Sequence, residues 1–431
     1  MAGLAPDTPE HIFTVETVPL KYGHGALREL GHDIKALNAR RVALFTDRHL
    51  ADSEHVAIAR EAIRGAGLDV VVYDAVAVEP TDASFRDAAA FAVDGNFDGF
   101  VSVGGGSVMD TCKAANLYAT WPDDFLAYVN APMGQGKPVP GPLKPHLACP
   151  TTCGTGSEMT AAAIFDFVSE NVKTGISHRA LKPTRAVVDP TTTYTLPVGV
   201  VCSTGLDVLT HAIESWTARD FRTRDYPADP GSRPPYQGSN PWSDIGSMKA
   251  IELGGRYLER AYADPSDHEA RDWLMFASTL AGMAFGNAGV HIPHAMSYAV
   301  AGQNHRFVAT GYETEKPMVP HGISVVVNAP AAFRFTASAN PERHLEAARG
   351  LGADVRNLGP EHAGEALADR LAAIMRNTGC PNGIGDLGYT EADVPSLVKG
   401  AYQQKRLLVQ APRAPDEADL AAIFRDALRY W

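Results

Sequence analysis

Cysteine is scarce in this chain, and its few copies do not form a pattern. Cys112, Cys149, Cys153, Cys202 and Cys380 are odd in number and nowhere spaced as CxxC. Neither a disulfide framework nor a thiolate zinc site is indicated, and a reducing compartment is expected. Positive charge is also short. The 38 Lys and Arg against 50 Asp and Glu leave a net charge of −12, which argues against a nucleic acid or an anionic membrane as a general partner. Long apolar runs are missing as well, since no segment approaches the roughly 20 residues of a membrane span. The first residues, Met-Ala-Gly-Leu-Ala-Pro-Asp-Thr-Pro-Glu, lack both a basic residue ahead of an apolar run and an Arg-rich amphipathic pattern. A cytoplasmic, untargeted protein is therefore expected. What remains is ordinary globular composition, 45% hydrophobic and 20% charged, in a chain of 431 residues. That is long enough for two domains of about 100 to 200 residues or more each.

The first part of the chain alternates short apolar runs with amphipathic stretches. Residues 11–22 have strand character, and a Gly-His-Gly turn opens a helix around 26–37. Arg41-Val-Ala-Leu-Phe-Thr46 then reads as a buried strand with Asp47 at its carboxyl end. Further strands over 69–73 and 99–103 are separated by helices, one reaching about Gly65 and one over about 84–93. This order predicts an α/β domain with a doubly wound parallel sheet, whose ligands lie outside the carboxyl ends of the strands. Gly104-Gly105-Gly106-Ser107 falls at such an end and opens a helix, where glycine lets a phosphate approach the first free N–H groups. A plain glycine turn with a serine cap accounts for that tetrapeptide equally well. A second polar turn, Pro150-Thr-Thr-Cys-Gly-Thr-Gly-Ser-Glu158, follows another apolar stretch and raises dinucleotide binding above the plain turn. Asp47 fits a ribose diol and disfavours a 2′-phosphate, hence NAD over NADP; the bland alternative is a helix N-cap.

Past Asp189-Pro190 the alternation stops. Helical patterns cover 197–218, 245–262, 269–286 and 342–350. The boundary is placed near residue 195, giving a nucleotide-binding α/β domain over 1–195 and an all-α metal-binding domain over 196–431. Between the first two helices runs a Pro-, Gly- and Arg-rich stretch, 219–242, longer than an ordinary connection.

Histidine is concentrated in the second part. His291, His294, His305 and His321 gather between Gly286 and Gly322 in a chain with 15 histidines. Asp207 and His211 leave one helical face together at i, i+4. A single such histidine is more often a satisfied core residue, but three imidazoles with one carboxylate suit a borderline divalent ion, Fe²⁺ or Zn²⁺, with room for an exchangeable oxygen.

Taken together, Gly104-Gly-Gly-Ser-Val-Met-Asp110, Pro150 to Glu158, Asp207-x-x-x-His211, His294-Ala-Met-Ser and Pro320-His321-Gly322 resemble the iron-containing (group III) alcohol dehydrogenases. The similarity spans nearly the whole chain. Glu79-Pro-Thr-Asp-Ala-Ser-Phe, the run from Met109 to Ala119, Pro235-Tyr-Gln-Gly-Ser-Asn-Pro241, Gly286 to His291 and Pro341 to Glu346 resemble the hydroxyacid-oxoacid transhydrogenase branch. The resemblance implies metal ligation by Asp207, His211, His294 and His321 and an active site in a cleft between the domains. It implies cofactor contacts by Asp47, Gly104, Gly105, Gly106, Ser107, Asp110, Thr151, Thr152, Thr155 and Lys173. Many members carry a histidine where this chain has Tyr298, so Tyr298 and Lys173 stand as candidate catalytic residues. The implied cofactors are NAD and a divalent metal, Fe²⁺ before Zn²⁺. The implied partners are small hydroxy-acid and oxo-acid substrates, and the implied assembly is a homodimer or larger homo-oligomer. The branch implies the reaction of 4-hydroxybutyrate with 2-oxoglutarate. Its rivals are an alcohol or 4-hydroxybutyrate dehydrogenase that releases NADH and a non-catalytic binding protein. Carboxylate substrates call for cations near the metal, and Arg233 and Arg306 are the candidates, with Arg219, Arg222, Arg224 and His305 behind them.

Overall fold

The computed structural model describes residues 9–170, 172–303, 306–312 and 317–431. The chain divides into two compact units. One is Thr17–Leu196; the other is Pro197–Trp431 together with the segment before Thr17.

The first unit holds six parallel strands, β1 (Leu20–Tyr22), β2 (Arg41–Asp47), β3 (Asp69–Val76), β4 (Gly99–Gly104), β5 (His146–Pro150) and β8 (Arg185–Val188), in the order β1-β8-β5-β4-β2-β3. An antiparallel pair, β6 (Ala162–Phe167) and β7 (Val172–Ser177), stands apart from this sheet. The helices are α1 (Leu30–Ala36), α2 (Glu54–Gly65), α3 (Asp82–Asp94), α4 (Gly106–Thr120) and the single turn α5 (Phe125–Tyr128). Strand β2 is buried from its second residue onward, as expected where helices cover both faces of a parallel sheet. Val42, Leu44, Val101, Val103 and Leu147 form one cluster, and Ala43, Phe45 and Phe100 belong to another. From β2 the chain steps outward to β3, then crosses back to place β4 on the other side of β2. The strand order therefore reverses between β2 and β4, the place where doubly wound sheets bind ligands. Asp47 ends one of these strands and Gly104 the other.

The second unit is helical: α6 (Val198–Thr217), α7 (Pro241–Ala263), α8 (His268–Ala288), α9 (Ile292–Gly302), α10 (His321–Val326), α11 (Ala329–Thr336), α12 (Pro341–Gly350), α13 (Ala363–Asn377), α14 (Val394–Tyr402), α15 (Lys405–Leu408) and α16 (Glu417–Asp426). Helices α6 and α7 pack closely because glycine stands at their contacts. A Cβ on Gly205 would meet Leu258 at 2.3 Å, and one on Gly254 would meet Leu209 at 2.4 Å. Helix α7 starts on a capping box in which Asn240 and Ser243 satisfy each other's backbone N–H. Among the described residues no helix is long and apolar enough to cross a membrane.

Two sequence expectations need amendment. Only Leu20–Tyr22 of the stretch 11–22 is a strand. The residues before Thr17 belong to the helical unit: Pro9 bridges Asp225, Thr14 exchanges hydrogen bonds with Gln237, and the Asn287 amide donates to the Thr14 carbonyl at 2.7 Å. The long stretch 219–242 is thereby fastened to the chain's beginning, a contact that no local sequence pattern records.

Candidate metal centre and nucleotide turn

Helix α6 carries Asp207 and His211 one turn apart, and two other helices bring a histidine to the same point. His294 lies in the first turn of α9, after the left-handed Gly289 (φ 96°) and the His291 cap have redirected the chain out of α8. His321 is the first residue of α10. Its neighbour Gly322 explains the approach. A Cβ there would stand 2.0 Å from the Ser203 carbonyl oxygen and 2.9 Å from the Asp207 Cβ. Only glycine lets α10 lie this close to α6.

The four ligand atoms all fall within 4.8 Å of one another. Asp207 Oδ1 is 3.6 Å from the nearest nitrogen of His211 and 3.8 Å from Nε2 of both His294 and His321. These separations are too long for hydrogen bonds. Donors held tetrahedrally at about 2.0–2.2 Å from a divalent ion stand roughly 3.3–3.6 Å apart, so the donors fit one shared ion with little adjustment. Asp207, His211 and His294 are buried, and His321 is partly exposed. Nε2 of His294 is buried and has no hydrogen-bond partner among the described residues, an arrangement that is costly unless something else binds there.

Glu214 orients the cluster. It lies on α6 one turn past His211, is fully buried, and its Oε2 pairs with Nδ1 of His294. Its Oε1 accepts the N–H groups of His291 at 2.8 Å and His294 at 3.3 Å. Burial pushes this carboxyl up, but His294, His291 and the backbone donors outweigh it and hold Glu214 below its usual range. Burial likewise pulls His294 down while Glu214 raises it above its usual value. A carboxylate on one imidazole nitrogen fixes the other nitrogen toward a metal. Phe285 stacks on His211 with centroids 4.0 Å apart and planes 9° apart, fixing that ring too. The remaining described histidine of this run, His291, is a core residue. Its Nε2 meets the Thr217 hydroxyl at 3.1 Å, and burial drops its pKa to about 4.

In the other unit the glycine turn and the threonine turn meet. Gly105 caps α4, and Cβ atoms on Gly105 and Gly106 would contact the side chains of Thr152 (3.4 Å) and Thr155 (2.7 Å). The Thr151 N–H donates to the Gly104 carbonyl at 3.0 Å. The Ser107 hydroxyl accepts from the Glu79 N–H at 3.2 Å. At the start of α4 the orphan N–H groups and the helix dipole offer an anion site. Asp47 uses one carboxylate oxygen to cap the turn after β2, accepting from His49 and Leu50 at 2.9 and 3.1 Å. The N-cap of α2 is Ser53, so the helix-cap alternative does not hold for Asp47; its other carboxylate oxygen has no hydrogen bond among the described residues.

Residues 19–190 match the family described as iron-containing alcohol dehydrogenase, and residues 236–428 match the C-terminal part of the same family. The chain belongs to the iron-containing alcohol dehydrogenase family. It is therefore an oxidoreductase acting on CH–OH groups. It is 48% identical over 433 residues to hydroxyacid-oxoacid transhydrogenase, mitochondrial, of Rattus norvegicus, covering all of this chain and 93% of that protein. Among solved structures, 1,3-propanediol oxidoreductase superposes with a TM-score of 0.84 at 29% identity, over 97% of this chain and 100% of that one. Sulfoacetaldehyde reductase of Bifidobacterium kashiwanohense, solved in complex with NAD⁺, superposes with a TM-score of 0.79 at 26% identity, over 97% of this chain and 99% of that one.

The comparisons overturn the cytoplasmic expectation, since the curated relatives, from mammals to an amoeba, are named as mitochondrial proteins. Composition does not register compartment, because an acidic, thiol-reduced globular surface suits an organelle interior as well as the cytosol. Within the family site, several residues expected to act directly are engaged elsewhere. Lys173, on β7, is buried between Glu79 Oε2 at 2.5 Å and Asp166 Oδ1 at 2.9 Å. Burial works against its charge, but the two carboxylates raise its pKa far above the ordinary lysine value. Both carboxylates thus hold it in the charged form within this unit. Both carboxylate oxygens of Asp110 are used internally, by the Ser157 hydroxyl at 2.6 Å and the Ile164 N–H at 2.9 Å. These bonds tie α4 to the threonine turn and to β6. Arg233 is buried with its guanidinium on Glu10, 2.8 Å from Nε to Oε2, so its charge is matched within the protein. Arg224 also faces Glu10 at 3.6 Å, Arg222 pairs with Asp220 at 2.7 Å, and Arg306 is exposed. His305 lies outside the described residues. Tyr298 is buried one turn past His294, and its hydroxyl accepts from Arg406 Nη2 at 2.7 Å.

Sequence reasoning missed Glu214, Phe285 and Arg406. Glu214 had a signal, for Asp207, His211 and Glu214 fall at i, i+4, i+7, a single stripe of α6. Arg406 had none, being 108 residues from Tyr298.

Proposed function

We propose that this protein is a metal- and NAD-dependent hydroxyacid-oxoacid transhydrogenase that converts 4-hydroxybutyrate and 2-oxoglutarate into succinate semialdehyde and 2-hydroxyglutarate. The observation that carries the proposal is the 48% identity to a named transhydrogenase along the full chain, with the Asp207, His211, His294 and His321 donor set complete. In this assignment those four residues hold a divalent ion, Fe²⁺ in preference to Zn²⁺. When bound, such an ion acidifies an alcohol oxygen and polarises a carbonyl. Gly104, Gly105, Gly106, Ser107, Thr151, Thr152 and Thr155 cradle the dinucleotide, and Asp47 selects NAD through the ribose diol. The NAD⁺ complex of the sulfoacetaldehyde reductase supports that choice of nucleotide.

The hydroxy acid gives a hydride from its carbinol carbon to the nicotinamide and a proton from its hydroxyl, leaving as an oxo acid. The incoming oxo acid takes the hydride at its carbonyl carbon and a proton at its oxygen, so the nicotinamide ends as it began. Tyr298 is the proposed proton carrier. Its oxygen accepts from Arg406, so its own O–H is left to point elsewhere. Lower-identity relatives that are ordinary oxidoreductases support a second reading, a dehydrogenase that releases NADH. Steady-state turnover separates the two. A transhydrogenase makes succinate semialdehyde continuously only when 2-oxoglutarate is present, whereas a dehydrogenase accumulates NADH without it.

A further inference from the structure

We propose that Arg406 is the carboxylate anchor shared by both substrates, placed beside the metal donors by Tyr298; this rests on the transhydrogenase reading above. Helix α15, which carries Arg406, packs against α9, which carries His294 and Tyr298. Nη2 of Arg406 lies 2.7 Å from the Tyr298 hydroxyl, and the guanidinium carbon is 5.7 Å from the centroid of that ring. Tyr298 is four residues beyond His294, about 6 Å along the same helical face. Arg406 is partly buried, and among the described residues no carboxylate lies within 4 Å of its guanidinium. That sets it apart from Arg222, Arg224 and Arg233, whose charges are matched by Asp220 or Glu10. Arg219 stands beyond the end of α6, about two helical turns past His211. A guanidinium with no carboxylate partner beside a tyrosine hydroxyl is a binding site for an anion, and a carboxylate fits its fork in bidentate fashion.

The substrate chemistry fits one such cation. In 4-hydroxybutyrate two methylenes separate the carbinol carbon from the carboxylate. In 2-oxoglutarate two methylenes separate the keto carbon from the distal carboxylate. With either reacting carbon at the same place, a carboxylate arrives at the same distance from it. A single arginine then serves both half-reactions, and the two acids exclude each other. The second carboxylate of 2-oxoglutarate adjoins the reacting carbon and needs a different partner.

The test compares wild type with Arg406→Ala, Arg406→Gln and Arg406→Lys. Reduction of bound NAD by 4-hydroxybutyrate and by 1-butanol, and reoxidation by 2-oxoglutarate, are followed by absorbance. Metal and NAD content and circular dichroism are measured on each variant. Loss of one charge-assisted pair is expected to raise the half-saturating concentration of both acids about 100-fold. Butanol should lose at least tenfold less than either acid, the part that passes through the Tyr298 hydroxyl, and lysine should restore part of the loss as a point charge. An equal loss on butanol, or an effect on one acid alone, or none, overturns the shared anchor. Gln and Lys keep the test open if Ala misfolds. Butyrate, which has the same carboxylate spacing but no hydroxyl, is titrated calorimetrically in parallel. If wild type turns over neither acid, the transhydrogenase reading fails, while unchanged butyrate affinity in the Arg406 variants separately defeats the anchor.

Discussion

The two functional regions are built from different materials. The nucleotide turn in the α/β unit consists of glycines, hydroxyls and backbone N–H groups at the ends of adjacent strands, and its fit is steric. The metal cluster in the helical unit consists of titratable side chains from three helices, and its fit is electrostatic. One site depends on atoms being absent, such as a Cβ on Gly106; the other depends on charges being present and held still by Glu214. Damage to the first should weaken binding by degrees, whereas damage to the second should remove function outright.

That contrast breaks most visibly at the metal donors. Asp207→Ala or His294→Ala is expected to abolish metal content and lower kcat/KM on the order of 10³-fold or more, while NAD binding to the α/β unit persists. Retained metal by elemental analysis with lost NAD binding would reverse the roles assigned to the two units. Next in size is Glu214→Gln, which keeps volume and removes the charge on the His294 imidazole. Metal affinity should fall about 10- to 100-fold, with the donors themselves intact; chelator competition measures it.

On the sheet side, Gly106→Ala places a methyl 2.7 Å from the Thr155 side chain. The strain of such overpacking is on the order of 1–3 kcal/mol, so NAD affinity should drop roughly tenfold while metal content is unchanged. Adding Thr155→Ala should recover part of it. Titration of NAD by fluorescence quenching checks both variants, and no change in the single variant would mean the turn has slack.

The smallest effect compares two buried histidines, one in each unit. His146 bonds the Ser102 hydroxyl at 2.8 Å, and His344 bonds the Thr336 hydroxyl at 2.9 Å. Burial lowers them from 6.5 to about 3 and about 4. Below pH 6.5 the unfolded chain binds protons that these folded sites refuse. Stability therefore falls as pH drops from 6.5, by at most about 1.4 kcal/mol per pH unit for each histidine, and levels off below the folded value. His344→Asn should flatten the slope of the denaturation midpoint between pH 6.5 and 4, and His146→Asn should do the same down to pH 3. An unchanged slope in either variant would mean that histidine is accessible to protons when folded.

The same difference in material decided what was legible in the sequence. Strands β2 and β4 announce themselves because both faces are covered and their middles, Val42 to Phe45 and Phe100 to Val103, are largely apolar. Helices α6, α7, α8 and α12 fall within a few residues of their expected spans, since each must bury a stripe. The pair β6–β7 was missed because Ala-Ala-Ile-Phe-Asp-Phe and Val-Lys-Thr-Gly-Ile-Ser carry little alternation. Residues that act locally were readable: Asp207 and His211 share a helix turn, and Gly104 to Ser107 share a strand end. Residues whose role is set by a distant partner were not. Arg233 reads as an available cation until Glu10, 223 residues away, is found beside it. Lys173 reads as catalytic until Glu79 and Asp166 are seen to claim it.

The central claim is that hydride moves from a hydroxy acid to an oxo acid through a nicotinamide that this protein retains. It is tested most directly with 4-hydroxybutyrate deuterated at the carbinol carbon, mixed with 2-oxoglutarate and the purified protein in ordinary water. Deuterium at C2 of the 2-hydroxyglutarate formed, with one succinate semialdehyde per 2-hydroxyglutarate and no accumulating NADH, is the predicted result. Protium at C2, or succinate semialdehyde formed together with free NADH in the absence of 2-oxoglutarate, would contradict it.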